Sequence, residues 1–303
     1  MEQFNKVMVG LDLSEMDDAL ISNLKYLAPL LGIEKVYFVH VARDLNLPEE
    51  VSKTYPDLMA PVDELITKEI AHEIKAADYP KELEYEIQVK EGNAQERIIR
   101  WSKIKNIDLL VMGRKKSLEG SGSLVKNLAQ KYPNPVLLIP EGFSFKPFEQ
   151  ILVPIDFSEY SIMTLKCALM LSQKTGAKIT CCHLYGVPAG YTKTGKSFKE
   201  FSEIMLHNAK KEYKGFLSKN QFPDFECEFI LKEKKDEADN IIKFAKSIQT
   251  DLLIIGSRGR TQSAAILLGS VAEKLINNAY EIPILMLKKK GESMTFFEAL
   301  FQL

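Results

Sequence analysis

The chain has 303 residues, 46% of them apolar and 27% charged, with 40 Lys and Arg against 41 Asp and Glu. This length fits about two domains of about 150 residues each. The net charge of −1 excludes a strongly basic nucleic-acid binder and an acidic tail protein.

No apolar run approaches the roughly 18 residues that a membrane span needs. The opening MEQFNKVMVGLDLSE lacks a basic stretch followed by a long apolar one, so no secretory signal is expected. Four cysteines, Cys167, Cys181, Cys182 and Cys227, are too few and too clustered for a disulfide framework. Together these features predict a cytoplasmic protein in a reducing compartment, with no nucleic-acid or membrane partner.

In chain order, KVMVGL (6–11) reads as a buried strand and DDALISNLKYLAPLL (17–31) as a helix stopped by Gly32. Strand KVYFVHVA (35–42), helix PVDELITKEIAHEIKAA (61–77), strand LEYEIQV (83–89) and helix AQERIIRWSKI (94–104) follow. Strand DLLVMG (108–113), helix LVKNLAQKY (124–132) and strand PVLLIP (135–140) complete this half.

The second half repeats the series. Its strands are ILVPI (151–155), KITCCHLY (178–185), FECEFILK (225–232), DLLIIG (251–256) and PILMLK (283–288). Its helices are SIMTLKCALMLSQKT (161–175), SFKEFSEIMLHNAKKEYKGFLSK (197–219), DEADNIIKFAKSIQ (236–249) and SVAEKLINNA (270–279).

Asp12 matches Asp156 and Gly32 matches Gly176 at an offset of 144. His40 matches His183 and Asp108 matches Asp251 at 143. So steady an offset marks one domain duplicated in tandem. It grows to 148 between Pro135 and Pro283, so the first copy has lost residues after Gly113.

Strands alternating with helices imply parallel pairing with helices on both sheet faces. The expected architecture is α/β: two doubly wound, Rossmann-like domains, each with a mostly parallel five-stranded sheet. The domains are expected at 1–140 and 151–290, joined by a linker at 141–150 and followed by a tail at 291–303.

Ligands of such sheets sit at the carboxyl ends of the strands. Two of these ends stand out in the second copy. One carries Asp156, which can accept hydrogen bonds from a ligand or cap the following helix. The other is Gly256-Ser257-Arg258-Gly259, then nine residues, then Gly269-Ser270 at the start of a helix. Glycines permit close backbone approach, and a helix start offers N–H groups and the positive dipole end to an anion. Gly269-Ser270 would equally serve as a plain helix cap.

These residues, Gly256, Gly259, Gly269 and Ser270, reproduce the G-x2-G-x9-G-S/T pattern of nucleotide-binding members of the universal stress protein family. The chain resembles that family over essentially its whole length, in its tandem form. The resemblance implies the adenine nucleotide alpha hydrolase-like version of the fold. It also implies a stress-response binding module for ATP, ADP or AMP, with Mg²⁺ as a possible companion. Asp156, Pro154 and Ile155 would then face the adenine, with Leu184 on its other side. Ile255 and Gly256 would line the ribose. Arg258 and Gly259 would face the phosphates, held from the helix end by Gly269, Ser270, Val271 and Ala272.

The first copy departs from the pattern. Lys116 stands where Gly259 does, and only five residues (117–121) precede Gly122-Ser123. One competent site is therefore expected, in the second copy. Arg114-Lys115-Lys116 reads as a solvated charged loop.

Gly190-Tyr-Thr-Lys-Thr-Gly195-Lys196-Ser197 satisfies the P-loop pattern G-x-x-x-x-G-K-S. It supports an alternative, a slow ATPase or phosphate-transfer protein. A capped surface loop is the other explanation, because four residues separate it from the preceding strand. Lys196 is in addition a candidate to reach phosphates held at 256–270.

Cys181, Cys182 and His183 are consecutive on a strand and cannot converge as a zinc set, so they read as core, and His40 as structural. No catalytic constellation is legible, and no enzyme is expected. The tail, with Phe296, Phe297, Leu300, Phe301 and Leu303, is too apolar to stay free and should dock on its own chain or on a second copy. The family often pairs last strands across two domains, which implies an intramolecular pseudo-dimer or a homodimer. A third possibility is a scaffold whose nucleotide site is vestigial.

Overall fold

The structure, a computed structural model, describes residues 4–45, 61–115, 122–232, 237–260 and 268–289. The C-terminal tail, Lys116 and the 117–121 segment lie outside the described residues. The chain separates into two compact units, unit 1 ending at Lys146 and unit 2 spanning Pro147–Lys289.

Unit 1 contains β1 (Lys6–Leu11), α1 (Glu15–Leu31), β2 (Lys35–Ala42), α2 (Val62–Ala76), β3 (Glu84–Glu91), α3 (Ala94–Lys105), β4 (Leu109–Arg114), α4 (Gly122–Lys131) and β5 (Val136–Pro140). Its strands run in the order β3-β2-β1-β4-β5. The pairs β1–β2, β1–β4, β2–β3 and β4–β5 are all parallel.

Unit 2 repeats the plan. It contains β6 (Gln150–Pro154), α5 (Glu159–Thr175), β7 (Lys178–Tyr185), α6 (Phe198–Lys219), β8 (Glu226–Leu231), α7 (Glu237–Ser247), β9 (Leu252–Gly256), α8 (Ser270–Asn278) and β10 (Ile284–Leu287). Its order is β10-β9-β6-β7-β8, again parallel throughout. Each unit is thus a doubly wound α/β sheet, as the repeat of strand and helix requires.

The central strands are near-continuous apolar runs because both faces are covered. Val7, Met8, Val9, Leu109, Leu110 and Val111 are completely buried, as are Ile151, Leu152, Val153, Leu253 and Ile254. Helices add one apolar side each, such as Leu20, Ile21 and Leu24 of α1 and Leu165, Ala168 and Leu171 of α5.

The first helix of each unit carries the same punctuation. Ser14 and Ser158 are the N-caps, and Gly32 and Gly176 end the helices in the left-handed conformation. Asp108 and Asp251, the most visible markers of the repeat, have a structural task. Asp108 accepts from the Lys6 N–H, and Asp251 accepts from the Glu149 and Gln150 N–H groups, so each anchors the start of its unit's first strand.

The segment expected to be a linker is fastened at its start. Buried Asn23 of α1 donates to the Phe143 carbonyl at 2.9 Å and accepts from the Phe145 N–H at 2.6 Å. Removing that side chain leaves buried backbone groups unpaired. Asn23→Ala is therefore expected to destabilise unit 1 by about 2 kcal/mol. Urea unfolding checks this, and an unchanged midpoint would show that residues 143–145 are not held this way.

Candidate functional site

The strand order of unit 2 reverses between β6 and β9, where crossovers leave in opposite directions and a crevice opens at the carboxyl ends. A cavity of about 490 Å³ lies there. Pro154, Ile155 and Asp156 line it from the end of β6, and Leu184 from β7. Ile255 and Gly256 close β9, followed by Arg258 and Gly259 in the next loop. Gly269, Ser270, Val271 and Ala272 contribute the start of α8. All twelve residues singled out from the sequence therefore share one cavity.

The turn from β6 into α5 is built around Asp156. Its Oδ1 accepts from the Ser158 N–H at 3.1 Å and the Ser161 hydroxyl at 2.8 Å. Its Oδ2 accepts the Arg260 N–H at 2.6 Å, which ties the glycine loop to the end of β6. Ser158, not Asp156, caps α5. The carboxylate thus organises the turn and the loop at once, and a carboxylate has further lone pairs for a ligand donor.

The two loop glycines have separate packing reasons. A Cβ on Gly259 would lie 2.8 Å from Asp156 Oδ2, so only glycine lets the loop close onto the carboxylate. A Cβ on Gly256 would lie 2.7 Å from Tyr160 Cβ, so this glycine lets α5 lie against β9. The same constraint recurs in unit 1, where a Cβ on Gly113 would run into the Met16 side chain.

Gly269 is the N-cap of α8 and carries no side-chain acceptor, so nothing of its own covers the helix start. The first N–H groups of a helix have no intrahelical partner, and the dipole adds positive potential there. The Gly269 N–H donates to the Ser257 carbonyl at 2.7 Å, which fastens this helix start to the base of the loop.

Phe157 adopts φ 65°, a left-handed conformation that is rare for a bulky side chain, and Leu13 does the same at φ 57°. In unit 2 the Phe157 ring stacks on His183 with centroids 4.3 Å apart. His183 Nδ1 also contacts the Ile155 carbonyl at 2.9 Å, and His40 Nδ1 makes the matching 3.1 Å contact with Leu11. Burial holds the His183 pKa below its ordinary value. Both histidines therefore fix the turn after the first strand. Cys181 and Cys182 are buried, and burial pushes the Cys181 thiol up to about 12. Among the described residues no group of three or more metal-ligating side chains converges.

Several lining residues carry no local signal in the sequence. Tyr160, Ser161 and Thr164 face the cavity because α5 starts directly beneath it. Lys232 enters from just beyond β8 and pairs with Glu237 at 2.7 Å. Arg260 lies in the glycine loop itself. Cations flanking strand ends on the carboxyl rim are the pattern that would have pointed to Lys232 and Arg260.

The P-loop-like segment behaves differently. Its residues Tyr191–Thr194 form a short 3-10 helix. The Tyr191, Lys193 and Gly195 N–H groups donate to carbonyls of the same loop. The Ser197 N–H and hydroxyl both go to Glu200, in the capping box of α6. At least four amides of the would-be phosphate cradle are thus already used within the loop and its capping box. Lys196 does not line the cavity among the described residues. Lys196→Ala is expected to leave ATP affinity within about twofold of wild type. A tenfold loss in calorimetry would return this loop to the site.

Unit 1 treats its first-strand aspartate otherwise. Asp12 Oδ2 pairs with Lys115 Nζ at 2.7 Å, where unit 2 uses the Arg260 N–H. Asp17 replaces Ser161 and accepts from the Asp12 and Leu13 N–H groups. Burial, opposed by those two N–H groups and aided by the Asp12 charge, raises its pKa to about 6.

The universal stress protein family model matches residues 3–140 and again 147–288. Universal stress protein MJ0531 of Methanocaldococcus jannaschii is 28% identical over 144 residues, which is 47% of this chain and 83% of that relative. Universal stress protein MJ0577 of the same organism is 27% identical over 163 residues, 48% of this chain and 97% of the relative. The crystal structure of a universal stress protein from Archaeoglobus fulgidus is 20% identical and covers 96% of this chain and 98% of its own, with a TM-score of 0.62, a likeness of fold. Matched twice and over nearly its whole length, this chain belongs to the universal stress protein family, as two tandem domains.

Proposed function

We propose that the chain is an adenine-nucleotide-binding module whose site is the unit 2 cavity, and that it acts through a change of conformation or partner rather than through turnover. The observation that carries this reading is convergence. Twelve residues from separate strand ends, one glycine loop and one helix start line the same cavity. Lys232, Arg258 and Arg260 add positive charge to that lining, which suits a phosphate chain. The α8 N-terminus supplies N–H donors toward anions. The apolar walls Pro154, Ile155, Leu184 and Ile255 suit a flat base.

If Mg²⁺ accompanies the nucleotide, the Ser270 hydroxyl and the Glu237 carboxylate are among the oxygen donors of this lining and would fit a hard cation. The test is nucleotide release. Purified protein is heat-denatured and the supernatant is resolved by anion exchange. Intact adenine nucleotide, absent from Gly269→Asp material, supports the reading. Free ADP with phosphate formed during incubation supports an ATPase instead. No nucleotide in either sample, together with no calorimetric binding of ATP, leaves a scaffold.

A further inference from the structure

Unit 1 holds a cavity of about 230 Å³, lined by sixteen residues. Each of the sixteen has its repeat counterpart in the lining of the unit 2 cavity. Asp12 answers to Asp156, His40 to His183, Gly113 to Gly256 and Lys115 to Arg258. The two cavities are therefore one pocket inherited twice, at about half the volume in unit 1.

Asp17 stands where Ser161 does and adds a carboxylate, while three other substitutions remove polar groups. Leu20 replaces Thr164, Val39 replaces Cys182 and Ala94 replaces Glu237, so polar groups become apolar. The strand register carries the same message about charge. His40 pairs with Val89 and His183 with Phe229, so three residues on Gly92 occupies the place of Lys232. Lys115 is not available to a phosphate, because its amine is bonded to Asp12 at 2.7 Å. The sequence also puts Lys116 at the position of Gly259 and shortens the stretch before the helix from nine residues to five.

We infer that unit 1 is a second binding site, for an uncharged purine without phosphates, a nucleobase or nucleoside. The purine part of this assignment rests on the adenine reading of unit 2. The exclusion of phosphates rests on unit 1 alone. The Asp12 carboxylate, held in place by Lys115 at 2.7 Å, accepts the hydrogen bond of a ring or exocyclic N–H. The Leu20, Val39 and Met112 side chains enclose the flat apolar face. A phosphorylated ligand would bring its charge to an apolar wall with no free cation in the described lining, which disfavours it.

Calorimetry of the full chain with adenosine and with ATP tests the assignment. Two variants fill the small cavity independently, Ala94→Phe and Val41→Trp, and circular dichroism establishes that each is folded. Wild type is expected to bind two adenosines and one ATP per chain. Either cavity-filling variant should bind one adenosine and keep its ATP affinity, and Gly259→Val should keep the unit 1 adenosine and bind ATP about 100-fold more weakly. One adenosine per chain in wild type, displaced by ATP, overturns the proposal while leaving the unit 2 reading intact. Two ATP per chain, or two adenosines in both folded cavity-filling variants, also overturns it. An adenosine site lost in Ala94→Phe, in a chain that binds no ATP, upholds unit 1 and defeats the unit 2 reading.

Discussion

Gly259→Val is expected to weaken ATP binding about 100-fold, or about 2.7 kcal/mol, with little change in the rest of unit 2. The added Cβ would sit 2.8 Å from Asp156 Oδ2, so either the loop or the carboxylate must move. The carboxylate cannot swing away cheaply. It holds the Ser158 N–H, the Ser161 hydroxyl and the Arg260 N–H, and hydrogen bonds to a charged group are each worth about 1.5–3 kcal/mol. Overpacking alone costs about 1–3 kcal/mol. Loss of the Arg260 tie releases the loop that carries Arg258, and with it the positioning of the phosphate donors. Equilibrium dialysis with labelled ATP gives the affinity, and thermal melting reports the fold. Undiminished affinity would mean that the loop does not close on Asp156.

Lys288→Met is expected to stabilise unit 2 by about 2–4 kcal/mol at pH 6, with the gain fading between pH 7 and pH 10. Lys288 follows β10 and is 6% exposed. Burial, with repulsion from Arg258, lowers its pKa from 10.5 to about 7. The folded value lies below the unfolded one, so between these limits the unfolded chain holds a proton that the folded chain has released. Stability therefore rises with pH through that window and is lowest below pH 7, where the buried amine must stay charged. Methionine removes the titration and with it the slope. Denaturant midpoints of both proteins at pH 6, 8 and 10 measure the difference. A gap that stays constant with pH would show that Lys288 titrates normally.

Much of the fold was legible because the signals are local and appear twice. Short apolar runs separated by amphipathic segments define parallel strands and crossovers, and the steady offset between copies aligns them without any structure. The candidate site was legible for a related reason. Asp156, Gly256 and the Gly269-Ser270 pair lie at strand ends or helix starts, where chain position alone implies the carboxyl rim.

What stayed hidden depends on which elements touch. The sequence shows a glycine at 256 and 259 but not that Tyr160 and Asp156 are the groups they accommodate. Lys232 reaches the cavity only because β8 lies next to β7, and nothing local distinguishes it from other surface lysines. The Gly190–Ser197 pattern fails in the opposite sense. Its residue types match a phosphate loop, yet its amides close a 3-10 turn and cap α6, a choice made by backbone conformation that residue identity does not report. The Lys115–Asp12 pair joins residues 103 positions apart and was likewise invisible, although it separates the two cavities chemically.

A crystal structure of the full chain grown with a non-hydrolysable ATP analogue tests the central claim most directly. The expected result is ligand density in the unit 2 cavity alone, with its base beside Asp156 and Leu184 and its phosphates at the Gly269–Ala272 helix start. Phosphate density at Gly190–Ser197, or a unit 2 cavity empty at a saturating analogue concentration, would contradict it.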